Sequence, residues 1–178
     1  GLVKTLDWKI YLGLLAEEGN AAHEADLARH GAVAFDLVVA SLYPFGEALA
    51  AGAGAEELRQ HVDIGGPAML RAAAKNHRFV TVVTDPADYE LVREEIARLG
   101  GTTLALRRKL AQRAFARTAA YEVAIAERFA NEEHEPVCFE RRTGSRPLRY
   151  GENPHQTARV FLSARADDAL TFEQRGGK

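Results

Sequence analysis

Apolar positions along the chain follow two periods. In "YELVREEIARL" the residues Tyr89, Val92, Ile96 and Leu99 recur at helical spacing and share one face. Asp85-Pro86 leads into that helix and Gly100-Gly101 stop it. From Leu104 to Phe129 the same period continues, with Leu106, Leu110, Ala114, Tyr121, Ile125 and Phe129 close to one stripe of a long helix. "AAHEADLARHG" predicts a helix stopped by Gly31, and "GAEELRQHV" a short one. "GPAMLRAAAKNH" predicts another, with Pro67 in the first turn, where a missing N–H is tolerated. Two runs lack this period. "FVTVVT" is continuous and β-branched, which predicts a short strand buried on both faces. "AVAFDLVVASLYPF" reads as a strand ending at Pro44. The opening "GLVKTLDWKIYLGLL" fits a strand, a loop or a short helix. "NEEHEPVCFERRTGSRP" is polar and irregular and reads as a linker, and "LRYGENPHQTARVFLSA" ends in a strand-like run.

Strands separated by helices favour an α/β fold, a parallel sheet covered by helices. Only two convincing strands stand in the main body, so either the domain's start is missing or "LVKTLDWKIY" hides another. The bulk numbers narrow the class. The 178 residues suit one domain with an attachment, and 47% hydrophobic with 27% charged residues describes a soluble, globular chain. A net charge of -2 gives no electrostatic case for nucleic acid. No apolar run approaches the roughly 20 residues of a membrane span, and no signal-peptide pattern opens the chain. One cysteine, Cys138, allows neither an intrachain disulfide nor a cysteine zinc cluster. The expectation is a cytoplasmic protein without nucleic-acid or membrane partners.

The densest polar chemistry brackets one short helix, in "DIGGPAMLRAAAKNH". Asp63 stands before Gly65 and Gly66, where backbone can approach a ligand and a helix N-terminus favours an anion. It also suits a capping residue. Lys75 and His77 at the far end suit either a ligand or the helix dipole. Tyr43 lies after the first strand, at the carboxyl edge where open α/β sheets bind ligands. A phenol, a carboxylate and an ammonium converging on one cleft could move protons. Lys4 and Thr5 form a possible phosphate-binding pair without the glycines of a P-loop. "RYGENPHQ" is polar and turn-like. No metal-ligand spacing surrounds His155, and His23 and His30 suit a solvated helix face.

Taken together and in order, "VKTL", "LYPF", "DIGGPAMLRAAAKNH", "TAAY" and "RYGENPHQ" resemble one family, over nearly the whole chain. It is the bifunctional purine-biosynthesis family of aminoimidazole carboxamide ribonucleotide formyltransferase and IMP cyclohydrolase. The resemblance implies a methylglyoxal-synthase-like cyclohydrolase domain lacking its N-terminal part (residues 1–130). A linker follows (131–146), then the first strand of a formyltransferase domain (147–178). It implies ring closure of the formylated nucleotide to IMP, with Lys75, Asp63 and Tyr43 serving the chemistry. Lys4, Thr5, Gly65, Gly66, Asn76, Arg149 and Tyr150 would bind substrate. No cofactor or metal is implied for ring closure. For formyl transfer, 10-formyltetrahydrofolate is the co-substrate, and the lysine–histidine pair for that step is expected beyond Lys178. A nucleotide substrate and a homodimer are the implied partners. The alternative is a non-catalytic nucleotide-binding or dimerisation fragment. The chain departs from the family's usual pattern at Asp7-Trp8 (His-Pro), Ser41 (Asn), Arg117 (His) and Glu122 (Asp).

Overall fold

The computed structural model describes residues 5–132, 145–147, 155 and 157–161. The chain divides into two compact units, Gly1–Val137 and Cys138–Lys178.

The first unit is a mixed α/β body with a small parallel sheet and many helices. Its opening segment resolves into a helix, α1 (Trp8–Leu15), because Asp7 Oδ1 accepts the Lys9 N–H at 2.8 Å and caps the first turn. Helix α2 (Ala21–His30) follows, capped by Asn20 and stopped at Gly31 in the left-handed conformation. Strand β1 (Leu37–Val39) pairs in parallel with β2 (Thr81–Val83), in the register Leu37–Thr81, Val38–Val82 and Val39–Val83. Between them lie α3 (Phe45–Ala50), α4 (Ala55–Gln60) and α5 (Gly65–Lys75). A 3-10 turn at Pro86–Asp88 leads into α6 (Tyr89–Leu99), and α7 (Leu104–Glu132) completes the unit.

Every residue of β2 is buried, as its unbroken β-branched run predicts. β1 is shorter than expected. Its ladder closes with Thr81 N–H donating to Asp36 O at 2.8 Å and Ala40 N–H to Val83 O at 3.1 Å. It buries Val38 and exposes Leu37 and Val39. On α6 only Val92 of the predicted stripe is buried, while Tyr89, Ile96 and Leu99 are exposed. These residues and the open side of β1 form an apolar face with a cavity of about 370 Å³, lined by Leu37, Val39, Val83, Tyr89 and Ile96.

The core sits on the other side. Leu70, Ala73 and Ala74 of α5 are fully buried against α7, where Leu110, Ala114 and Thr118 are equally enclosed. Alanines at these positions let the two helices approach closely, and each fully buried leucine stabilises by roughly 1.5–3 kcal/mol. The two helices run antiparallel. Asp63 meets Tyr121, Arg71 lies over the Phe115 ring, and Arg107 reaches His77.

In the second unit, β3 (Ser145–Pro147) pairs antiparallel with β4 (Arg159–Phe161). The strand-like run near "TARVF" is therefore a strand. Regular structure reaches both ends of the segment read as a linker, since α7 runs to Glu132 and β3 begins at Ser145.

Candidate functional site

At the N-terminal end of α5, residues distant in sequence come together. Asp63 Oδ1 accepts the Gly66 N–H at 2.8 Å, so the carboxylate satisfies one of the orphan donors of the first turn. This cap uses one of its two oxygens. A Cβ on Gly66 would collide with that carboxylate, and a Cβ on Gly65 would collide with Thr5 Oγ1. The two glycines are there for close approach: they let Thr5 and Asp63 sit against the helix end.

The Asp63 backbone is itself held. Its N–H donates to the Tyr121 hydroxyl at 2.7 Å, and that hydroxyl donates to His61 O at 2.5 Å. Burial raises the Tyr121 phenol above its ordinary value, and negative charge from Asp63 and Glu122 adds to the rise, partly offset by the Asp63 backbone hydrogen bond. Beside it lies a cavity of about 240 Å³, lined by Tyr43, Phe45, Glu47, Arg117 and Tyr121. Tyr43 is 57% exposed and faces solvent on this side. The arrangement supplies a carboxylate that can accept a proton at the helix end and, along the adjoining cavity, the Tyr43 phenol as a hydrogen-bond donor and an arginine with a fork of donors.

The C-terminal end of α5 is different. Asn76 is buried, and its Nδ2 donates to Leu14 O at 2.9 Å and Ala16 O at 2.8 Å. It thereby ties the end of α1 to the end of α5. His77 Nδ1 lies 3.1 Å from Ala74 O. The Arg107 guanidinium donates to His77 O at 3.0 Å, to Arg78 O at 2.7 Å and to Thr102 O. Nearly every polar group here satisfies backbone carbonyls. Lys75 and Arg78 are the exceptions: both are exposed, and the Arg78 guanidinium lies over the Phe79 ring.

The structure therefore brings Thr5, Asp63, Gly65 and Gly66 together, with Tyr43 near them through Tyr121. It does not bring Lys75 to the same point. Gly65 and Lys75 begin and end α5, roughly 15 Å apart along the axis, so the single cleft expected to hold phenol, carboxylate and ammonium is not closed within these residues. Asn76 is occupied in holding the fold. Lys4, Arg149 and Tyr150 lie outside the described residues. His23, expected on a solvated face, lies with its Nδ1 3.2 Å from the Glu17 N–H.

Tyr121 was legible in the sequence only as part of an apolar stripe. Its position gave one further signal, since a tyrosine on a buried stripe must find a partner for its hydroxyl. Arg117 stood out only as a departure from a familiar string.

A family model described as AICARFT/IMPCHase bienzyme matches residues 73–178. The bifunctional purine biosynthesis protein PurH of Parvibaculum lavamentivorans is 50% identical over 182 residues, covering 100% of this chain and 34% of its own length. The protein of the same name from Sinorhizobium medicae is 50% identical over 167 residues, covering 92% of this chain and 31% of its own length. The chain thus spans about a third of the curated relatives it matches. Among solved structures, the crystal structure of ForH superposes with a TM-score of 0.61 at 36% identity, over 73% of this chain and 67% of that one.

Proposed function

The chain belongs to the AICARFT/IMPCHase bienzyme family of purine biosynthesis, and on that premise we propose that it carries the ring-closing, IMP cyclohydrolase site. The observation that carries the reading is the assembly of Thr5, Asp63, Gly65 and Gly66 at one helix end, linked through the Tyr121 hydroxyl to the cavity that Tyr43 lines.

The reaction is intramolecular. The carboxamide nitrogen of the formylated aminoimidazole carboxamide ribonucleotide attacks its own formyl carbon. The attacking nitrogen loses one proton as its bond to carbon forms, and the formyl oxygen gains negative charge; the formamide nitrogen loses a second as its double bond to that carbon forms, and the oxygen takes up both and departs as water. Holding the two groups in contact supplies much of the acceleration. What remains is proton transfer and stabilisation of the oxyanion. Asp63 suits the role of proton acceptor, and the Tyr43 phenol that of a donor to the developing oxyanion. The nucleotide phosphate suits the N-terminal end of α5, where Thr5 and backbone N–H groups meet and the helix dipole favours an anion. Lys4 would join it there. Lys75, which the resemblance ties to ring closure, stands about 15 Å along α5 from this point, so in this reading its ammonium would meet the nucleotide away from Asp63. Ring closure with loss of water balances without a redox or metal cofactor.

In the same reading, the small parallel sheet is part of a methylglyoxal-synthase-like domain ending near residue 130, and 147–178 opens a formyltransferase domain. Arg149 and Tyr150 would then border its nucleotide or a dimer partner, with 10-formyltetrahydrofolate as co-substrate of that second activity. The protein would work in the cytoplasm as a homodimer.

The test is direct. The full-length protein should convert the formylated nucleotide to IMP after dialysis against a chelator and without folate. Failure to turn over would favour the alternative, a nucleotide-binding or dimerisation role. A requirement for added metal would contradict the mechanism.

A further inference from the structure

We infer that Tyr121 is a positioning residue for this site, acting through Asp63 and through the loop that carries Tyr43. The inference rests on the ring-closure reading for its catalytic consequence, and on geometry alone for the positioning.

Tyr121 comes from α7, far from the turn it holds. Its hydroxyl uses both of its capacities: it accepts from Asp63 N–H at 2.7 Å and donates to His61 O at 2.5 Å. Two bonds to one oxygen fix both sides of the short turn between α4 and α5. Asp63 is then pinned at two atoms, its N–H by Tyr121 and its Oδ1 by Gly66. The direction of the carboxylate follows from those two anchors.

The ring does a second job. It stands edge-on to Phe45, with centroids 6.2 Å apart at 74°. Phe45 is 1% exposed, and its N–H donates to Tyr43 O at 2.8 Å. The ring therefore backs the loop from which Tyr43 projects, while the hydroxyl holds Asp63. Both groups proposed for the chemistry lean on one side chain.

The two jobs can be separated. Tyr121→Phe keeps the ring and its contact with Phe45 and removes only the hydroxyl. A shift of about 1 Å at a reacting group lowers turnover about 10²-fold, so the full-length Tyr121→Phe protein should lose about that factor in kcat. Its KM should stay within about twofold, because binding contacts are untouched. In a double variant with Asp63→Asn the two losses should not add, because they act through one group. Amide hydrogen exchange at Asp63 should accelerate in Tyr121→Phe while α5 residues such as Leu70 keep their protection. That readout stands even if the wild-type protein shows no ring closure, in which case the reading of the function fails and the positioning is still decided. Unchanged exchange at Asp63, or fully additive losses in kcat, would overturn the inference.

Discussion

The two ends of α5 carry similar densities of polar residues and use them differently. At the C-terminal end, Asn76 and Arg107 spend their donors on five backbone carbonyls, those of Leu14, Ala16, His77, Arg78 and Thr102. This is the ordinary need of a helix terminus and its neighbours for hydrogen-bond partners. At the N-terminal end, one carboxylate oxygen and one phenol do the same work for the backbone. Tyr43, Arg117 and Glu47 remain along an adjoining cavity. A cluster of polar residues beside a helix thus says little until its partners are known. The C-terminal cluster is chiefly architecture, and the N-terminal one is architecture that borders, through Tyr121, a cavity lined by polar side chains.

If the N-terminal end does the chemistry, Asp63→Asn should give the largest effect. Asparagine caps a helix about as well as aspartate, so stability should hold, while turnover falls about 10³-fold with the loss of a proton acceptor. A thermal melt beside a steady-state assay separates the two. Comparable turnover in the variant would erase the distinction between the ends. Lys75→Ala probes an exposed group at the C-terminal end. It should lower kcat about 10²-fold with little change in KM, and leave stability within about 0.5 kcal/mol, as expected for an exposed side chain. An unaffected kcat would leave the C-terminal end wholly architectural.

Asn76→Ala should behave in the opposite way. It strands two buried carbonyls and should destabilise the fold by about 3 kcal/mol, measured by denaturant unfolding. Turnover per folded molecule should be kept. A large loss of kcat in folded protein would move Asn76 into the ligand site.

The smallest effect is at alkaline pH. Burial favours the neutral phenol of Tyr121, with its folded pKa raised above 10.0. Its contribution to stability is therefore complete below pH 10 and is lost as pH rises through the raised value. Unfolding midpoints measured across that range should fall less steeply in Tyr121→Phe than in the wild type.

Much of the helical frame was legible from period alone. The stop at Gly31, the stop at Gly100 and the long α7 follow from local chemistry. The opening segment was not decided by its pattern, because the deciding feature is a single cap, Asp7 on Lys9. The strand before Pro44 is shorter than its pattern predicts, since among the described residues only Asp36–Ala40 join a ladder. Phe45–Ala50 is a helix that no sequence signal announces, because it is short and lacks a side-chain cap. In the site, Asp63 and the two glycines were legible because their roles are local. The separation of Asp63 from Lys75 follows from α5 being helical throughout, yet a shared motif string invites one to place them together. Tyr121 shows in the sequence as one position of an apolar stripe, but its partners Asp63 and His61 follow only once α7 is known to run antiparallel to α5.

A ligand bound at the N-terminal end of α5 would perturb the backbone amides that meet there. Titrating IMP, the product, into isotope-labelled full-length protein and following backbone amides would test it most directly. The largest shifts should fall on Thr5, Tyr43, Asp63, Gly65 and Gly66, with Asn76, Arg78 and Arg107 little moved. Shifts concentrated on Asn76, His77 and Arg107, with the Asp63 turn silent, would contradict it.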